Sequence, residues 1–186
     1  TQELDAEMMN RFQQFIGVLR WAIELGCIDI LTEVSCLSQH LASPREGHLH
    51  AVYKIFRYLQ KNMEKNPGRL VFDGYKEYQN EKVFELGAIS QEEWIDFYPD
   101  ACESLPRYMP QPLGKSVLIR TYVDANHAGN LANRRSHSGI LIYVNNAPII
   151  WFSKRQNTVE SSSFGSELVA LRIATNMIEA LRYKLR

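Results

Sequence analysis

Residues 117–155 decide the fold of this 186-residue chain, because three apolar runs follow one another there with turn-forming residues between them. The runs are VLIRTYV at 117–123, ILIYV at 140–144 and IIWF at 149–152. Valine, isoleucine and aromatic residues favour strands, and Asn145-Asn146-Ala147-Pro148 is typical of a tight turn. The pattern predicts a three-stranded antiparallel meander.

A helix is predicted directly after the meander. The serines at 161–163 are good N-cap residues. Apolar or weakly polar side chains then recur at helical spacing over about twenty residues. The face predicted for this helix consists of Phe164, Leu168, Leu171, Thr175 and Ile178.

The sequence pattern in the first third of the chain predicts three amphipathic helices. Apolar residues recur at three- and four-residue steps from Phe12 to Ile23 and again from Leu31 to Leu41. A third helix is predicted from SPRE at 43–46, where Ser43 is the expected N-cap, Pro44 the first helical residue and Glu46 the capping-box partner. Short connections between such helices predict a small bundle.

Charge is distributed unevenly along the chain, although the net charge is zero. Residues 73–114 carry three basic and nine acidic side chains, whereas residues 115–186 carry ten basic and four acidic ones. A basic surface suits a polyanionic partner such as nucleic acid. An uneven but merely solvated surface is the alternative interpretation.

Composition favours a globular protein. The apolar runs are far shorter than the roughly 20 residues that a membrane span requires. The polar, acidic start predicts that no secretory signal or transit peptide is present, and hence a soluble intracellular protein. Cys27, Cys36 and Cys102 lack the close pairing of zinc or redox motifs.

Four motifs between residues 122 and 168 resemble the ribonuclease H domain of copia-type retrotransposon polyproteins. They are YVDANHAG at 122–129, RRSHSG at 134–139, WFSKRQ at 151–156 and SSSFGSEL at 161–168. The corresponding family patterns are D-A-D-W-A-G, R-R-S-T-S-G, W-x-S-K-K-Q and S-S-x-E-A-E-Y. Four motifs in the same order are far more specific than one short match.

The upstream region resembles the segment that follows the polymerase palm in the same polyproteins. The matching stretches are FQQFIGVLRW at 12–21, IDI at 28–30, LS at 37–38 and residues 50–59. The resemblance implies an α+β protein with a helical thumb-like segment at 1–72, an acidic, proline-rich connection at 73–114, and a partial ribonuclease H-like domain at 115–186. By the resemblance, the fourth strand of that domain is expected to be absent from this chain.

The resemblance implies a metal site at two carboxylates, Asp124 and Glu167. These match the first aspartate and the helix glutamate that bind two Mg²⁺ ions in the family, where the ions assist hydrolysis of RNA in RNA/DNA hybrids. The family's later carboxylates have no counterpart before Arg186, so the chain is predicted to be inactive alone. A strand-end aspartate and a helix-dipole glutamate without ligand roles are the alternative.

Four basic residues are predicted either to contact nucleic-acid backbone or to point to solvent: Arg134, Arg135, Lys154 and Arg155. The predicted partners are an RNA/DNA hybrid and the remainder of the polyprotein, with no membrane. The predicted location is a cytoplasmic particle or the nucleus. The alternative function is a non-catalytic remnant that acts as a nucleic-acid-binding or protein-interaction module.

Overall fold

A computed structural model describes residues 2–65, 107–109, 111, 114, 117–130 and 133–185. The fold is α+β, as predicted. Its helices are α1 (Ala6–Glu24), α2 (Leu31–Leu37), α3 (Glu46–Lys65) and α4 (Ser163–Leu185), and its strands are β1 (Ile119–Asn126), β2 (His137–Val144) and β3 (Ala147–Arg155). Short 3-10 turns lie at Ile28–Ile30 and Ser38–His40.

Helices α1 to α3 form the helical bundle, and the predicted helical spacing accounts for its core. Asp5 caps α1, because its Oδ1 accepts a hydrogen bond of 2.8 Å from the backbone N–H of Met8. The apolar stripe of α1 then packs against α2 and α3. The buried core residues are Phe12, Ile16, Leu19, Ile23, Ile30, Val34, Leu37, Val52 and Ile55.

The predicted capping box at the start of α3 is wrong. The helix begins at Glu46, and the Ser43 hydroxyl donates to the Glu3 carboxylate, whereas an N-cap serine would accept from a backbone N–H of the helix. The side chain of His48 takes the capping role, since its Nδ1 accepts from the backbone N–H of Arg45 at 3.1 Å. Pro44 is buried, and its carbonyl accepts from the backbone N–H of Leu4.

The three strands form the predicted antiparallel meander in the order β1-β2-β3. Asp124 lies opposite Gly139 in the β1–β2 register, and Ile140 lies opposite Phe152 in the β2–β3 register. The chain reverses at Asn145, whose backbone has a φ of 52°. Asparagine tolerates this left-handed conformation better than most residues. Among the described strands, β1 pairs only with β2 and is therefore an edge.

Helix α4 packs on one face of the sheet, but only part of the predicted face is correct, since Ile178 packs against the sheet core and Phe164 does not. Ser166, Ala170 and Ala174 are its buried residues, whereas Phe164 and Leu168 are 75% and 53% exposed. Small side chains let the helix axis approach the strands closely, and larger apolar residues of α4 pack beside them: Ile173, Met177, Ile178 and Leu181. We call β1, β2, β3, their connecting residues and α4 the sheet unit.

The helical bundle contacts the other face of the sheet through α2. The Ser35 hydroxyl donates to the Ser153 carbonyl at 2.7 Å and lies 3.2 Å from His137 Nε2. Gln39 Oε1 accepts from Asn130 and from Arg155 at 3.1 and 3.0 Å. Side chains of α2 and of the 3-10 turn Ser38–His40 therefore fix the bundle against β2 and β3.

Nearly all of the predicted connection at 73–114 lies outside the described residues. The domain boundaries therefore stay predictions. Within the described ranges, none of the helices combines the length and the apolar character that crossing a bilayer requires.

Candidate functional site

Asp124 lies near the end of β1 with its side chain exposed. It lines a cavity of about 260 Å³ between the sheet and the start of α2, together with Ile28, Thr32 and Trp151. The cavity wall is mostly apolar around this carboxylate. No described cation forms an ion pair with it, since Arg45 and Glu3 make the one such pair that the described residues show.

Glu167 lies in the first turns of α4 and is also exposed. It lines a separate groove of about 240 Å³ between α4 and β1, with Val123, Phe164, Leu168 and Leu171. Val123 lines both cavities. The structure thus brings both predicted carboxylates to β1, but each of them lines its own cavity.

The described residues do not supply the ligand set that two Mg²⁺ ions require. Magnesium prefers octahedral oxygen coordination, so a two-ion site needs several carboxylates. No cluster of three or more histidine, cysteine, aspartate or glutamate side chains occurs in the described ranges. The roles of Asp124 and Glu167 and the Mg²⁺ site stay predictions, which calorimetric titration of Mg²⁺ against the chain and its Asp124→Asn variant would test.

The serines and the glutamine of the sequence motifs form a buried polar network. Gln156 is 3% exposed, and its amide donates to Ser138 Oγ at 2.9 Å and to the Ser166 carbonyl at 2.8 Å. Ser136 Oγ accepts from the backbone N–H of Ala128 at 3.0 Å. These bonds tie the end of β1, the start of β2, the end of β3 and the start of α4 together.

Ser166 and His127 form a contact that superficially resembles a nucleophile–base pair. The Ser166 hydroxyl lies 3.3 Å from His127 Nδ1, but it donates to the Ser163 carbonyl at 2.7 Å and is completely buried. Because the Ser166 hydroxyl has one proton and donates it to the Ser163 carbonyl, the imidazole is the donor in the contact with His127. The pair therefore positions the first turn of α4 and offers no accessible nucleophile.

His137 occupies the interface between the bundle and the sheet. Its Nε2 lies 3.2 Å from Ser35 Oγ and 3.0 Å from Ser153 Oγ. Burial, and secondarily the charge of Arg155, lowers the pKa of His137 below its ordinary value. The neutral imidazole is thus the form that this interface favours.

The four predicted basic residues divide into two groups. Arg134 and Arg135 lie in the connection between β1 and β2, where Arg134 has a φ of 56°. Lys154 and Arg155 end β3 and line a cavity with Arg20 of α1. Sequence reasoning missed Arg20, because nothing in the helical pattern distinguishes an exposed arginine that faces a strand from one that faces solvent.

Comparison with known proteins gives one curated relative. The chain is 26% identical over 160 residues to Secreted RxLR effector protein 161 of Plasmopara viticola, and the match covers 86% of this chain and 83% of that protein. No family model matches the chain, and no solved structure matches it.

This relative contradicts the predicted identity, function and location. It is a secreted effector protein, whereas the motifs predicted a fragment of a copia-type reverse transcriptase and ribonuclease H polyprotein. The predicted polyprotein identity and its transposable-element and ribonuclease H function are therefore wrong, and so is the predicted location in a cytoplasmic particle or nucleus. The alternative function, a non-catalytic remnant, gains no support. The predicted nucleic-acid contacts and the RNA/DNA hybrid and polyprotein partners are not tested and stay predictions.

Proposed function

We propose that the chain is a secreted effector-type protein. The observation that carries the proposal is the extent of the match to Secreted RxLR effector protein 161, which covers most of both proteins. A match over 86% of this chain is too long for the helical bundle or the sheet unit alone. The similarity therefore extends across both units.

Detection of the protein outside cells of its source tests this function. The full natural gene, carrying a C-terminal epitope tag, is expressed in those cells, and the culture filtrate and the cell pellet are assayed separately. The proposal predicts the tagged protein in the filtrate while a cytosolic marker enzyme stays in the pellet. Co-fractionation of the tagged protein with the marker enzyme would contradict it.

We also infer that the sheet unit is a partial ribonuclease H-like fold. The support is topological: three antiparallel strands in sequential order are followed by a helix that packs across them. A fold of this kind hosts unrelated functions, so this assignment carries no nuclease activity with it. An experimental structure in which β1 pairs with the strand that follows α4 in a longer chain would support the assignment, and a different neighbour for β1 would refute it.

A further inference from the structure

A cavity between the helical bundle and the sheet gathers three cationic side chains, Arg20 of α1 and Lys154 and Arg155 of β3. Ser35, Ser38 and Gln39 line it from the bundle side, and the remaining lining residues are uncharged. Its volume of about 400 Å³ lies within the range of small-molecule sites. We call this cavity the basic cleft.

Among the described residues, no acidic side chain lines the basic cleft. Glu24 follows Arg20 by one helical turn, but it lines an adjoining cavity with Arg20, Ser35 and Ser153. The described residues show no ion pair that neutralises any of the three cations. Because the cleft concentrates positive charge without a counter-charge, an anion is the ligand that its electrostatics favour.

The structure holds the two guanidinium groups in place before any ligand binds. Arg20 Nε donates to Ser38 Oγ at 3.2 Å, and the Ser38 hydroxyl in turn donates to the Val34 carbonyl at 2.6 Å. Arg155 Nη1 donates to Gln39 Oε1 at 3.0 Å. Each described contact uses one of the five N–H donors of its guanidinium, so the others are available to a ligand.

We propose that the basic cleft binds a small ligand through a phosphate monoester group. A monoester carries a charge of about −1.5 to −2 at pH 7 and presents three acceptor oxygens. Arginine forms bidentate hydrogen bonds with such oxygens, and the ammonium of Lys154 supplies a mobile point charge. Three cations and a donor-rich wall complement this dianion better than they complement a carboxylate with a single charge.

The geometry favours a terminal phosphate over a nucleic-acid backbone. Binding of a backbone requires cations distributed along a strip, so that successive singly charged phosphates are neutralised. Here three cations line one open cavity, and Arg134 and Arg135 do not line it. The inference depends on this cavity alone, and it holds whether or not the protein is secreted.

Isothermal titration calorimetry at about 0.15 M salt tests the proposal with three probes: adenosine monophosphate, inorganic phosphate and sulfate. The variants are Arg20→Gln, Lys154→Gln and Arg155→Gln, and circular dichroism verifies their folding. Lys154 is exposed, and no hydrogen bond seen among the described residues joins its side chain to the bundle. Its variant therefore keeps the test valid if Arg155→Gln loosens the interface. Arg11→Gln is the matched control, because Arg11 is an exposed arginine of the same helix outside the cleft.

The proposal predicts binding of adenosine monophosphate that weakens about tenfold in each cleft variant and is unchanged in Arg11→Gln. Binding of sulfate with equal affinity would show a nonspecific anion site and overturn it. So would equal weakening by Arg11→Gln, or an absence of monoester binding. Binding of a single-stranded oligonucleotide alone, sensitive to Arg134→Gln, would replace the proposal with a backbone-binding surface.

Discussion

The described core of the helical bundle is apolar and includes Phe12, Ile16 and Leu19, whereas the sheet unit buries Ser138, Gln156 and other polar residues beside its isoleucines. All four buried polar side chains of the described residues lie in the sheet unit. Apolar burial stabilises a core roughly in proportion to its area, but a buried polar group stabilises only while its partner remains. The two regions should therefore respond to different substitutions.

The comparison also changes the meaning of the sequence motifs. Ser136, Ser138, Gln156 and Ser166 belong to the stretches that resemble catalytic motifs, yet each of them is buried. Their hydrogen bonds join the ends of three strands to α4. In this chain, the motifs encode the polar network of the sheet unit.

The largest effect is expected in the bundle. Phe12→Ala should reduce the free energy of unfolding by about 3–5 kcal/mol, because it removes a completely buried ring from the contact of α1 with α2 and α3. Chemical denaturation followed by circular dichroism measures the change. Val18→Ala is the control, since Val18 is 53% exposed on the same helix. Loss of an exposed side chain should have little effect. Similar losses of unfolding free energy for both variants would show that Phe12 does not lie in the core of the bundle.

A smaller loss is expected when the polar network is broken. Gln156→Ala should cost about 1–3 kcal/mol, because it leaves the Ser166 carbonyl and Ser138 Oγ without their donor. The control is Asn157→Ala, since Asn157 is an exposed neighbour. This control variant should change the free energy of unfolding by no more than about 0.5 kcal/mol. If urea denaturation showed the two variants to be equally stable, the polar network would not stabilise the fold.

Two adjacent positions of α4 test which face meets the sheet. Ala170→Leu should destabilise by about 1–3 kcal/mol, because a larger side chain must fit where the helix approaches the strands most closely. Leu171 is already 53% exposed. Leu171→Ser should therefore change the free energy of unfolding by no more than about 0.5 kcal/mol. Thermal denaturation compares the two, and the opposite ranking would restore the helix face predicted from the sequence.

The smallest effect is a pH dependence at the interface. The pKa of folded His137 lies below the unfolded value of about 6.5, so the unfolded chain binds the proton more readily and stability falls as pH decreases below that value. The pKa of His48 is also lowered, chiefly by burial, and contributes with the same sign. His137→Gln should therefore flatten the dependence only in part. Identical pH profiles for the two chains, measured by urea denaturation, would exclude His137 as a contributor.

The α+β class, the meander and the three N-terminal helices could be predicted because they depend on local periodicity. The face of α4 could be predicted only in part, because hydrophobicity favours Phe164 and Leu168, whereas close packing on the strands selects Ser166 and Ala170. The start of α3 also depends on a distant residue, since Glu3 binds the Ser43 hydroxyl. The basic cleft requires α1 and β3 to line the same cavity, an arrangement that no local pattern in the sequence encodes.

Native-state hydrogen exchange of Gln156→Ala, resolved by peptide with mass spectrometry, tests most directly the claim that the two regions are held together differently. We predict faster exchange in β2, β3 and the first turns of α4, while α1 and α3 keep the protection they have in the parent chain. A uniform loss of protection throughout the bundle and the sheet unit would contradict the account, because it would mean that Gln156 supports one common core.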